Sequence, residues 1–261
     1  MIQALFVFLL GLIVGSFLNA VAFRTHEGRS FLRGRSRCPV CEARLKPVDL
    51  IPVVSYVLLH GHCRHCAAAI SPHYPFIEFA AGVLFLCAYL RYANGFSLPA
   101  FYLPSHAAAF LVRDLVFISF LLIIFLYDLR YAHILDRFSV PAMTIAFLFN
   151  AALGAPAWQM GLGALVLGGF FLVQFLFSRG VWVGGGDVRM GVVMGCMLGI
   201  QFGLVALFFA YAIGAFVGAF LLIKKKVGLR SELPFGTFLS AGTLIVLLAG
   251  ERIVQWYVGL L

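Results

Sequence analysis

The chain has 261 residues, of which 63% are apolar and 11% charged, with a mean hydropathy of +1.03; an ordinary soluble domain is roughly 25% charged. A water-soluble globule of this size cannot hide so much apolar surface, and disordered, collagen-like and secreted disulfide-stapled chains are excluded on the same arithmetic. The net charge of +9 would suggest nucleic acid in a soluble protein, but here it belongs to loops that set topology and face anionic lipid, so the expected partner is membrane lipid and not nucleic acid.

The expected fold is an all-α polytopic membrane protein. Eight hydrophobic segments are read, at 2–23, 76–92, 106–127, 138–154, 159–178, 188–204, 205–223 and 235–250, each near the ~20 residues a bilayer demands. Only Gly199-Ile200-Gln201-Phe202-Gly203 separates the sixth from the seventh. Residues 251–261 extend the eighth helix or lie in the interface. The segments 24–75, 128–137, 179–189 and 224–234 carry 16 of the 19 Lys and Arg, which places them in the cytoplasm and both termini outside. Ala20-Val21-Ala22 is a passable cleavage site, but no basic stretch precedes the apolar run and a basic one follows it, so an uncleaved anchor is expected. The domain plan is therefore a first membrane helix at 1–23, a cytoplasmic domain at 24–75, and a seven-helix membrane domain at 76–261. No internal repeat is visible.

Within 24–75, Cys38-Pro39-Val40-Cys41 and Cys63-Arg64-His65-Cys66 form two C-x2-C pairs separated by 21 residues. Each such turn presents two thiolates, and two turns complete a tetrahedral zinc shell. Cytoplasmic placement disfavours disulfides, and four thiolates leave no open position, so the zinc is expected to be structural. His60, His62 and His65 are alternative ligands; Cys87 and Cys196 fall in apolar helices as core filling.

The ten acids can be weighed singly. Glu27, Glu42 and Asp49 read as solvated loop residues, and Glu232 and Glu251 as interfacial ones. Glu78 and Asp136 read as helix caps, and Asp114 as the partner of Arg113. Asp128 follows the apolar run Phe120 to Tyr127, and Asp187 follows Gly184-Gly185-Gly186 at the same membrane level. The glycines allow positive φ and close approach to a substrate, leaving Asp187 at or near a helix N-cap. Two carboxylates at one depth on different helices suggest a dyad that shares a proton and hydrolyses a peptide without metal or nucleophile.

These residues resemble the type IV prepilin peptidases, the prepilin leader peptidase/N-methyltransferases, over nearly the whole chain. Gly15-Ser16-Phe17-Leu18-Asn19 with Arg24 is similar to the family's opening helix. The two cysteine pairs flanking Ile51-Pro52-Val53-Val54-Ser55-Tyr56 are similar to its cytoplasmic zinc-type domain, and Tyr74-Pro75-Phe76-Ile77-Glu78 to its second-helix entry. Asp128-Leu129-Arg130 with Ile134 and Asp136 resembles the first aspartate motif, and Gly184-Gly185-Gly186-Asp187-Val188-Arg189-Met190 the GxGD motif. Pro234-Phe235-Gly236 resembles the lead into the last helix. Leu135 stands for a usual Pro, which would soften the turn after Asp128; Arg189 stands for Lys, Thr237 for Pro and Val183 for Met.

The resemblance implies a bifunctional aspartyl enzyme with Asp128 and Asp187 catalytic and Gly184, Gly185, Gly186, Asp136 and Arg189 supporting them. Zinc would sit on Cys38, Cys41, Cys63 and Cys66 in a methyltransferase-associated domain. The substrates implied are type IV prepilins or type II secretion pseudopilins, cut after a Gly at the cytoplasmic face of the bacterial inner membrane. The new N-terminus would be methylated from S-adenosylmethionine, whose site no motif assigns. A proton-coupled transporter would instead place acids near the midplane on broken helices, and a scaffold would use the cysteine loop alone.

Overall fold

A computed structural model describes residues 1–30, 36–93, 107–224 and 233–259. The expectations that concern Arg33, Gly34, Arg35, Lys225, Lys226, Arg230 and Glu232 lie outside the described residues. The chain divides into two compact units, Met1–Asn94 and Gly95–Leu261.

In the first unit, helix α1 spans Ile2–His26 and helix α3 His73–Ala93. Small residues bring the two together: a Cβ on Gly11 would lie 2.6 Å from the Ala81 carbonyl, and one on Gly15 2.8 Å from the Glu78 Cα. Asn19 Nδ2 donates to the Tyr74 carbonyl at 3.1 Å, tying the same ends. Between them lie a 3-10 turn, Pro47–Leu50, and the short helix α2, Val54–Leu58.

The cysteine pairs sit in two turns of the same construction. Cys38 N–H donates to the Ala43 carbonyl and Cys63 N–H to that of Ala68; Glu42 and Ala67 adopt left-handed φ of 57° and 54°. Isolated antiparallel bridges, Arg37 with Arg44 and His62 with Ala69, close each turn. This is a small structural repeat that the sequence does not display, because little beyond the cysteines and one alanine is shared between the two stretches. Asp49 is not solvated as expected. Its side chain is only 3% exposed, held by Arg64 at 2.8 Å and by the Lys46 N–H at 3.1 Å. Burial opposes its charge, but these donors outweigh that and hold its carboxyl below the usual range.

The second unit comprises α4 (Ala107–Tyr131), α5 (Asp136–Ala152), α6 (Ala157–Ser178), α7 (Gly185–Ile223) and α8 (Phe235–Val258). Helix α7 packs on α5, α6 and α8, and α4 on α5 and α8. No strand occurs among the described residues. Among the described residues, six helices are long and apolar enough to cross a membrane: α1, α3, α4, α6, α7 and α8. Helix α5, at 17 residues, is shorter. Helix α7, at 39 residues, would run ~58 Å if straight, about twice the hydrocarbon core.

It is not straight. Gly199 has φ 71° and ψ −174°, which breaks α7 into two segments. The eight expected segments are thus recovered only by counting α7 twice, and the division falls at Gly199 rather than after 204. Breaking the ladder frees the carbonyls of Cys196 and Met197, and Asn150 Nδ2 donates to both, at 2.8 and 3.1 Å. Asn150 Oδ1 in turn accepts from Arg113 Nη1 at 3.2 Å, and Arg113 pairs with Asp114 at 2.7 Å. The expected Arg113–Asp114 pair is therefore present, buried, and part of the cap on the break.

Candidate active site

Asp128 begins the last turn of α4, three residues before its end at Tyr131, and its carbonyl accepts the N–H of Ala132 at 2.7 Å. Its side chain is buried, 4% exposed. Oδ2 accepts two hydrogen bonds from the start of α8: the Thr237 N–H at 2.6 Å and the Thr237 hydroxyl at 3.0 Å. A proline at position 237 could supply neither. The departure from the family pattern at this position thus touches the first aspartate directly.

Asp187 is the third residue of α7. Its N–H donates to the Gly184 carbonyl at 3.0 Å and its Oδ2 accepts the Gly184 N–H at 3.1 Å. This reciprocal turn fixes the carboxylate at the positive end of the helix. The glycines do not serve through positive φ, contrary to expectation: Gly184 is extended (φ −76°, ψ 155°), and Gly185 and Gly186 already belong to the helix. Space is the reason at Gly186, where a Cβ would lie 2.9 Å from Ile134 Cβ.

Ile134 joins the two motifs. It is 4% exposed and fills the room left at Gly186 on α7 and at Gly236 on α8. A Cβ on Gly236 would fall 2.5 Å from Ile134 Cδ1 and 3.0 Å from Asp128 Oδ2. Asp136, the first residue of α5, pairs with Arg189 at 2.5 Å, so its part extends beyond capping to linking the starts of α5 and α7. Leu135 does not soften the turn: its φ of −83° and ψ of 139° are open to the proline it replaces. With these segments locked together, Asp128 and Asp187 lie within direct electrostatic reach of each other. Among the described residues, the hydrogen-bond donors to these two carboxylates engage Oδ2 of each. Tyr211, on the second half of α7, also lies in reach of Asp187 and packs on Phe235 at 5.0 Å.

In the first unit, the sulfurs of Cys38, Cys41, Cys63 and Cys66 all lie within 4.8 Å of one another, with Cys38 to Cys66 at 3.8 Å. Four sulfurs at ~2.3 Å from one tetrahedral zinc would be about 3.8 Å apart. The first cysteine of each pair is buried and the second exposed. The Cys41 and Val40 N–H groups pull the Cys38 thiol down to about 7, favouring the thiolate that binds metal. The cluster is made by cysteines alone; His62 Nδ1 sits 2.7 Å from the His60 carbonyl.

Glu78 is not a cap of its own helix, as the sequence suggests. It is buried on α3, its Oε2 accepting the Val53 N–H at 2.7 Å, with a second hydrogen bond from Ser16 on α1. Sequence reasoning passed over Thr237 as an Asp128 donor, Asn150, and this use of Glu78. Each depends on which helix ends abut, and only the family's motif order hinted at it.

Residues 9–92 match the family described as Bacterial Peptidase A24 N-terminal domain, and residues 115–219 the Type IV leader peptidase family. A protein of Bacillus subtilis (strain 168) named prepilin leader peptidase/N-methyltransferase is 34% identical, covering 99% of this chain and 98% of that protein. The chain belongs to the type IV prepilin peptidase family. Proteins of the same name from Aeromonas hydrophila and Myxococcus xanthus are 29% and 32% identical, covering 96% and 88% of this chain and 92% and 66% of their own lengths. No solved structure matches. Family membership and the six apolar helices make it a multi-pass membrane protein.

Proposed function

We propose that the chain is a GxGD-type membrane aspartyl endopeptidase that removes the leader of type IV prepilins or type II secretion pseudopilins after a Gly, and then methylates the new N-terminal residue. The reading places both steps at the cytoplasmic side of the bacterial inner membrane, the face to which the basic loops are assigned. The observation that carries it is the pairing of Asp128 and Asp187, on different helices, each with Oδ2 pinned.

Two carboxyl groups within electrostatic reach of each other share a proton. The ionised one takes a proton from a water between the two as that water adds to the scissile carbonyl. The protonated one supports the developing oxyanion and then gives its proton to the leaving amine. The two apparent titrations belong to the pair. Gly184, Gly185, Gly186, Asp136 and Arg189 act by holding the two chain segments in register.

The sulfur geometry fits zinc on Cys38, Cys41, Cys63 and Cys66, where it would tie the two like turns together and leave no position for substrate. S-adenosylmethionine, when bound, would supply the methyl group to the neutral N-terminal amine, with a thioether as the leaving group and the amine proton passing to water. Unit 1 is assigned this second activity and unit 2 the peptidase.

The test is to incubate the detergent-solubilised protein with a prepilin and S-adenosylmethionine and to weigh the intact product. The expected product is cut after the leader Gly and heavier by one methyl. A cut but unmethylated product removes the transferase from the reading. No cut by folded protein with several prepilins and pseudopilins removes the reading altogether.

A further inference from the structure

Unit 1 contains a cavity of about 620 Å³ bounded by the end of α1, the cysteine turns, α2 and the start of α3, within the ~300–1,000 Å³ of small-molecule sites. Glu78 forms part of its wall and is 9% exposed. Among the described residues no guanidinium or ammonium makes an ion pair with Glu78; its partners are the Val53 N–H and Ser16. A buried carboxylate without a cation is unfavourable, and its oxygens offer about four acceptor positions, of which two are used. The backbone that supplies the Val53 donor is itself strained. Val53 has φ 62°, a left-handed conformation that a β-branched residue rarely adopts outside functional sites.

We propose that this cavity is the S-adenosylmethionine site, with the Glu78 carboxylate facing the sulfonium. The inference rests on the methyltransferase reading above and assigns the site that no motif gave. A sulfonium carries a full positive charge but no N–H, so it needs the nearby charge and not a directional acceptor. That suits a carboxylate whose acceptor positions are half taken by Val53 and Ser16. The remaining chemistry matches as well: Arg24 suits the ligand's carboxylate, while the rings of Phe23 and Tyr56, all on the cavity wall, suit a purine face. Cys38 and Cys63 also border the cavity, so the metal-held turns shape the methyl-donor wall without contributing a reacting group.

The test measures binding, apart from activity. Calorimetric titrations of the full-length protein in detergent would use S-adenosylmethionine and, separately, S-adenosylhomocysteine, which lacks only the methyl group and, with it, the sulfonium charge. Glu78→Gln is expected to weaken the first by about tenfold or more and the second by less than about threefold. Ser55→Tyr, which adds a bulky side chain to the cavity wall without removing Glu78, is expected to abolish binding of both. Thermal unfolding and zinc content establish that each variant is folded; should Glu78→Gln not fold, Ser55→Tyr alone decides the location.

Equal weakening of both ligands by Glu78→Gln overturns the sulfonium assignment. Wild-type affinity in Ser55→Tyr overturns the cavity assignment, and does so with the methyltransferase reading intact if wild type still methylates. A wild type that neither binds the donor nor methylates overturns that reading and this inference together.

Discussion

At the scale of single residues, the site is decided by what holds Asp128. Its two donors come from one residue, Thr237, lying 109 positions away in the chain. Thr237→Val keeps the N–H and removes the hydroxyl, so cleavage kcat is expected to fall by about tenfold, the value of one hydrogen bond to a charged group, with KM little changed. A kcat equal to wild type would show that the hydroxyl has no part. Gly236→Ala is expected to push Ile134 and the Asp128 carboxylate and to lower kcat by about ten- to a hundredfold, while the unfolding midpoint moves little; steady-state kinetics beside a thermal melt would separate the two. Asp128 and Asp187 were legible in the sequence because an acid after an apolar run, and another after three glycines, stand out among ten. Thr237 was legible only as a departure from a family pattern, since the contact depends on the start of α8 meeting the end of α4.

At the scale of elements, the broken helix is the informative one. A bilayer sets span length, so the helices could be read from hydropathy, and the glycines at 199 and 203 marked a soft boundary. The device that makes the break tolerable could not be read. Asn150 sits near the end of α5 and looks like a polar residue closing an apolar run, yet it caps the carbonyls of Cys196 and Met197. Asn150→Leu leaves those carbonyls unsatisfied where no water replaces the donor, at about 2–3 kcal/mol. The expected result is a thermal midpoint several degrees lower; an unchanged midpoint would mean that the break needs no cap. In the same network the buried Asp114 is neutralised by Arg113.

At the scale of the whole molecule, the cysteine turns and the aspartate pair occupy separate compact units, so their stabilities should separate. Stripping metal with a strong chelator is expected to raise amide exchange between 36 and 70 and leave α4, α7 and α8 protected, because the two like turns have few other ties. Backbone N–H groups draw the Cys38 thiol down to about 7, and protons compete with zinc for the thiolates, so metal retention should fall as pH is lowered; zinc content after dialysis across an acidic series checks the sign. The bilayer fold and the cysteine box were visible in composition and spacing. The joining of the aspartate motifs through Ile134 was not, because it is a property of three helix ends meeting. The central claim is that Asp128 and Asp187 act as one catalytic pair. Its most direct measurement is the rate of prepilin cleavage by Asp128→Asn and by Asp187→Asn, each with a wild-type melting profile. A loss of about a thousandfold or more in both is predicted, and cleavage at the wild-type rate by either variant would contradict it.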